Sequence, residues 1–194
     1  MFGYDQYGVF LGCSADLVLH GWEGSTAETY AQAADITFHS WAGSGTCGDS
    51  VTWSYNLDTG RLTISGTGNM VNYSTFEAPW VYYGDTIIAA DISSGVTSIG
   101  SYAFVKCTGL TGITVPDSVS SIGRYAFCEC YRLTGIAARA VVIPRNVTSI
   151  AADAFANSQV TTIYGYADSA AEAFCASHAG FTFVKIDDNW MASH

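Results

Sequence analysis

Apolar positions in the second half of the chain recur with a period far longer than that of a helix or a strand. Three segments align: VTSIGSYAFVKCTGLTGITVPDS from Val96, VSSIGRYAFCECYRLTGIAARAVVIPRN from Val119, and VTSIAADAFANSQVTTIYG from Val147. Each opens on valine, places Phe104, Phe127 or Phe155 eight residues on, and Cys107, Cys130 or Ser158 three beyond that. The second unit carries five extra residues near Ala137 to Val141, and the third lacks one before Val160. Each unit has two apolar stretches, such as Val96, Ile99, Ala103, Phe104 and then Leu110, Ile113, Val115. The second stretch predicts a short strand. One such unit cannot bury both stretches, whereas stacked units can, so the pattern predicts a solenoid. Parallel strands are expected at Ile87–Ile92, Leu110–Val115 and Val160–Tyr164, with a further rung inside Leu133–Ile143, about four rungs in all. Phe104, Phe127 and Phe155 are expected to form a buried ladder, with Cys107 and Cys130 as small buried hydrophobes beside it.

A second pattern repeats once. Leu19-His-Gly-Trp-Glu-Gly-Ser-Thr-Ala-Glu-Thr-Tyr30 matches Ile163-Tyr-Gly-Tyr-Ala-Asp-Ser-Ala-Ala-Glu-Ala-Phe174, and each copy runs on to a Thr-Phe pair, Thr37-Phe38 and Thr182-Phe183. Ser25 with Glu28, and Ser169 with Glu172, form a capping-box spacing that marks a helix start. Each copy therefore predicts strand, helix, strand. The copy at 163–187 follows the repeats (87–162) directly and reads as their terminal cap. The copy within 1–41 then reads as the cap of a preceding array, to which Phe10 and Cys13 would belong. Residues 42–45 read as a linker, 46–68 as a hairpin cap turning at Asp58-Thr-Gly60, 69–86 as a connection and 188–194 as a tail.

Together these pieces resemble the BspA-type leucine-rich-repeat surface proteins of bacteria. VTSIGSYAFVKCTGLTGITVPDSV looks like their repeat, GTCGDSVTWSYNLDTGRLTISGTG like the hairpin that opens an array, and GYADSAAEAFCASHAGFTFV like the segment that closes one. The resemblance implies an α/β leucine-rich-repeat solenoid with a hairpin cap and a strand-helix-strand cap. It also implies a cell-surface or secreted location and a role in adhesion, and it brings no catalytic residues. The pattern departs at the insertion near Ala137, at Ala151 in place of Gly100 and Gly123, and at Asp153 in place of Tyr102 and Tyr125.

Composition narrows the partners. The 194 residues carry 7 Lys and Arg against 17 Asp and Glu, a net charge of −10. Nucleic-acid backbones and anionic membrane surfaces need a cationic face and are excluded as partners. No apolar run approaches the length of a membrane span. Met1 is not followed by a basic and then an apolar stretch, so no secretory leader is expected here, and a surface location would make the chain a piece of a longer one.

Candidate chemistry is sparse. Gly43-Ser-Gly45-Thr-Cys-Gly48 matches G-x-G-x-x-G, but a dinucleotide site needs a strand before and a helix after it, and here a strand follows. Cys175 and His178 share a helical spacing without a second ligand pair, although His20, His39 and His194 exist. Cys107 and Cys130 are close enough in a stack for a bridge, yet stacked side chains point the same way. Asn72 and Asn146 head chance sequons. No cofactor and no metal is expected. Residues 119–146 hold Arg124, Arg132, Arg139 and Arg145 against Glu129 alone. With Tyr131, Tyr164 and Tyr166 near in sequence, they form either a partner-binding patch of hot-spot composition or a solvated rim. The expected function is a non-catalytic binding module for a protein or glycan, with a structural spacer as the alternative and a glycan-active enzyme behind both. Residues 1–41 either dock loosely through Leu17, Leu19 and Tyr30 or pack on a second copy.

Overall fold

The computed structural model of the chain describes residues 17–21, 26–40, 43–133 and 140–193. They fall into two units, Met1–Gly43 and Ser44–His194. In the first, β1 (Val18–Gly21), α1 (Thr26–Ala33) and β2 (Thr37–Ser40) make a strand-helix-strand turn. The strands pair in parallel, with Leu19 opposite Phe38. Phe10, Cys13, Ser25 and Trp41 lie outside the described residues.

The second unit begins with β3 (Ser44–Thr46), β4 (Val51–Asn56) and β5 (Arg61–Gly66), an antiparallel meander. Residues Ser44 and Gly45 are thus strand rather than linker. Gly45 is needed for closeness, not flexibility: a Cβ there would meet the Trp53 indole at 3.0 Å. Alternation in β4 puts Val51, Trp53 and Tyr55 inside and Thr52, Ser54 and Asn56 outside. Asn56 closes the turn by accepting the Thr59 N–H at 2.9 Å.

Past β6 (Gly68–Asn69), successive coils contribute strands to two faces. On one face, β7 (Ala89–Ile92) pairs in parallel with β5 and with β9 (Gly112–Thr114). Beyond it, β11 (Ala140–Val142), β13 (Thr162–Gly165) and β14 (Thr182–Lys185) form a three-stranded parallel sheet. These strands are shorter than the apolar spans suggest. Ile87, Leu110, Leu133 and Val160 are buried but precede the ladder, filling the core from the approach to each strand. On the other face, β8 (Val96–Ile99), β10 (Ser121–Ile122) and β12 (Ser149–Ile150) run parallel beside β6. Ile99, Ile122 and Ile150 come into register, as do Ser98, Ser121 and Ser149.

The turn between the faces carries the core. Phe104 stacks on Phe127 at 5.4 Å and Phe127 on Phe155 at 5.3 Å, with interplanar angles of 6° and 13°. The row extends both ways, to Trp80 at 6.2 Å from Phe104 and to Phe174 at 5.9 Å from Phe155. Trp80 lies in the stretch 69–86 read as a connection. It takes the place of a repeat phenylalanine, fully buried, with its indole N–H donating to the Ala103 carbonyl at 2.7 Å. Cys107 and Cys130 are buried and unbridged, and the Cys130 thiol donates to the Phe104 carbonyl at 3.0 Å. Residues 134–139, including most of the insertion and Arg139, lie outside the described residues.

Between β13 and β14, α2 (Ala170–Ser177) starts at Ser169, whose hydroxyl accepts the Glu172 N–H at 3.4 Å, while Glu172 accepts the Asp168 N–H at 2.7 Å. Ile163 sits opposite Phe183, the same pairing as Leu19 and Phe38. The tail closes as α3 (Asp188–Ser193), opened by Asp187, which accepts the Trp190 N–H at 2.8 Å.

Candidate binding surface

Two rows of corners take left-handed φ, an uncommon state for residues other than glycine: the first in two successive units, the second in three. Tyr102 (56°) and Tyr125 (53°) make the first, and Lys106 (55°), Glu129 (59°) and Asn157 (55°) the second. Hydrogen bonds between coils hold them. The Tyr102 N–H donates to the Arg124 carbonyl and the Lys106 N–H to the Cys128 carbonyl, both at 2.9 Å. Side chains at a corner project outward and meet their counterparts on the next coil.

At the first corner Tyr102 and Tyr125 lie 5.0 Å apart. Arg124 reaches over Tyr125 and donates to one Asp153 oxygen through Nε and Nη2, at 2.9 and 2.8 Å. These hydrogen bonds hold the Asp153 carboxyl below the usual carboxylate range. Asp153 replaces the tyrosine of the other units, so the departure from the repeat supplies the partner of Arg124.

The second corner was not found from sequence apart from Tyr131. Tyr82 stands two residues after Trp80, as Lys106 stands after Phe104 and Glu129 after Phe127. The Lys106 ammonium lies 4.5 Å from the centroid of the Phe76 ring and 3.8 Å from Glu129 Oε2. The Tyr131 hydroxyl donates to the same Glu129 oxygen at 3.2 Å. Desolvation first, and then that carboxylate, push the Tyr131 phenol above its ordinary value. Phe76, Tyr82 and Tyr131 are 49%, 60% and 47% exposed, half of the large apolar side chains found exposed among the described residues. The signal was available: writing the repeats in columns places Tyr82, Lys106, Glu129 and Asn157 in one position.

Among the described residues, Arg124, Arg132 and Arg145 have separate surroundings. Arg124 is at the first corner. Arg145 is at the C-terminal end, donating to Asp188 at 2.9 Å and lying 4.2 Å from the Tyr166 ring centroid. There Tyr164 stacks on Trp190 at 5.1 Å. Arg132 is exposed beside Tyr131. A coil winds around the whole cross-section, so residues close in one unit's sequence face different directions.

Nothing resembling a reactive centre forms among the described residues. Along the β6, β8, β10 and β12 face, the Thr97 hydroxyl donates to Asn69 Oδ1 at 2.8 Å, Ser120 to the Thr97 carbonyl at 3.0 Å and Thr148 to the Ser120 carbonyl at 3.2 Å. These hydroxyls tie coil to coil. His178 stacks on Phe174 at 4.2 Å, with Nδ1 2.8 Å from the Phe174 carbonyl, rather than addressing Cys175. Burial pushes the Cys175 thiol up, the wrong direction for a nucleophile. No three His, Cys, Asp or Glu side chains among the described residues converge on a point where a metal could bind. No described helix is long and apolar enough to cross a membrane.

Parallel coils, a recurring aromatic at one turn position and strands laid on two faces by successive coils define a leucine-rich-repeat type of solenoid. A family model described as the BspA type leucine rich repeat region matches residues 79–165 in six copies. This repeat-bearing part of the chain belongs to that family. The match begins at the coil of Trp80. Among solved structures, a leucine-rich repeat protein from Eubacterium ventriosum is 25% identical over 75% of this chain and 41% of its own, with a TM-score of 0.49. One from Bacteroides ovatus is 22% identical over 73% of this chain and 41% of its own, with a TM-score of 0.41. A leucine rich cell surface protein from Faecalibacterium prausnitzii is 21% identical over 75% of this chain and 55% of its own, with a TM-score of 0.32. The chain thus spans less than two thirds of each. A comparison with curated proteins finds no match.

Proposed function

We propose that the chain is a non-catalytic binding module of a bacterial surface or secreted protein, presenting the edge of a capped solenoid to a protein or glycan. The β4–β5 hairpin covers one end of the coils in this reading, and the β13–α2–β14 turn covers the other. The observation that carries it is the second corner. The half-exposed rings of Phe76 and Tyr131 flank a Lys106–Glu129 pair formed between successive coils, with Tyr82 exposed in the coil of Trp80, while the interior of each coil is apolar and packed. Exposed apolar patches rimmed by polar groups mark interaction sites. The repeat family supports the reading, since its members build repeats rather than reactive centres. The test is binding of the purified chain to immobilised glycans and to purified extracellular-matrix proteins. Retention that is lost when Phe76 and Tyr131 are replaced supports the module, and no retention in either format removes it.

A spacer role is the second reading. It is favoured by the twin strand-helix-strand turns, whose strands pair in the same register in both units. That duplication fits arrays set one after another. If an unrelated solenoid of equal length restores adhesion in a deletion strain, the spacer reading is the correct one.

A further inference from the structure

We propose that the second corner is a carbohydrate site whose ligand is a neutral oligosaccharide. The inference rests on the binding-module reading and narrows it to one surface and one ligand class. Three features of the ridge point that way.

First, its rings are separate platforms. Phe76 and Tyr131 flank the Lys106–Glu129 pair, which touches both. A protein hot spot concentrates its aromatics in a desolvated pocket inside a ring of neutral contacts. Here each ring is about half exposed on an outward corner, next to groups that keep their water. A sugar presents the matching alternation. Its C–H face is weakly positive and fits the negative face of an aromatic ring, and its edge offers hydroxyls. The Glu129 carboxylate and the Tyr131 oxygen accept from such hydroxyls, and the Lys106 ammonium donates to them.

Second, the overall charge disfavours an acidic ligand. Lys106 lies against Glu129 at 3.8 Å, and although Arg132 stands exposed beside Tyr131, the chain as a whole carries −10. General repulsion of an acidic ligand therefore favours a neutral one.

Third, the spacing is fixed. The left-handed corners at Lys106 and Glu129 are pinned by hydrogen bonds to the following coils, 2.9 Å from Lys106 N to Cys128 O and 3.1 Å from Glu129 N to Ala156 O. The ridge groups are therefore held in place before a ligand arrives, which lowers the ordering cost of binding.

The experiment uses the whole chain. It is titrated with cellohexaose, maltohexaose and xylohexaose, and separately with sialylated and sulfated oligosaccharides, following the ring resonances of Phe76, Tyr82 and Tyr131 by NMR. Phe76→Asn and Tyr131→Ala are the variants; asparagine accepts the left-handed φ of 67° at position 76. Unchanged thermal unfolding establishes that both fold. The expected result is a shift of the ridge resonances with at least one neutral hexasaccharide, and affinity about three- to tenfold weaker in each variant, as loss of one aromatic contact gives. Preference for the acidic sugars, neutral binding unaffected by both variants, or silence with every sugar overturns the assignment. Silence with sugars together with ridge-dependent retention of a purified matrix protein overturns the glycan and leaves the binding module standing.

Discussion

At the scale of single residues, close approach of coils decides what is allowed. A Cβ on Gly123 would lie 2.5 Å from the Ser101 nitrogen, and one on Gly100 would lie 1.9 Å from the Val71 carbonyl oxygen. Both obstacles are backbone, which cannot rotate away. Gly123→Ala is expected to destabilise by about 1–3 kcal/mol, the range for overpacking, read from the denaturant midpoint. An unchanged midpoint would show that the coils can separate there at little cost. Ala151 stands at the same position of the third unit, and nothing in the structure explains why it is accepted. The buried thiols make a different statement. Burial pushes Cys107 up from 9.0 to about 12. The folded state therefore holds the neutral thiol while the unfolded chain ionises. The stabilisation is complete below the ordinary thiol value of 9.0 and is lost as pH rises toward about 12. Stability measured from pH 8 to 11 should fall, and Cys107→Ala should fall less steeply. A Cys107→Ala slope equal to that of the parent chain would exclude this thiol as a source. Below pH 9, Cys107 and Cys130 should resist alkylation until the protein is unfolded.

At the scale of elements, the strand-helix-strand turn is held by a local signal. Ser169 and Glu172 satisfy amides that the first turn of α2 leaves open. Ser169→Ala should cost about 1 kcal/mol and should accelerate amide exchange in α2 before it does so in β13. Uniform exchange across both elements would show that packing of Phe174, not the cap, sets the helix. This element was legible because its signal is contiguous, as was the hairpin at Asp58 to Gly60. Other elements were not. β10 and β12 are two residues each, too short to show alternation, and exist only through their neighbours in register. The Trp80 coil was hidden because Trp80 and Tyr83 stand where the later units have Phe and Cys. Arg124 and Arg145 illustrate the converse case, each held by a different carboxylate. Nearness along one coil says little about nearness in space, whereas the step from one coil to the next, 23 residues from Lys106 to Glu129, joins real neighbours. The ridge could be read only in columns.

At the scale of the molecule, the second unit is a one-dimensional stack in which each coil leans on the next. Successive coils are joined on one face through β8, β10 and β12, and at the turn through Phe104, Phe127 and Phe155. Phe127 is the middle ring of that row. Phe127→Ala should cost about 3–5 kcal/mol, as truncation of a buried phenylalanine does. It should also change the shape of unfolding. With the central ring of the row gone, the coupling between the coils on its two sides should weaken, and one cooperative transition should become two. Amide exchange would assign them, with β7 to β9 opening at a different denaturant concentration from β13, α2 and β14. Phe104→Ala lies next to the Trp80 end and should lower the midpoint while leaving the two sides coupled. A single, merely shifted transition in Phe127→Ala would mean that contacts outside the phenylalanine row, the β8–β10–β12 ladder among them, transmit cooperativity between the coils.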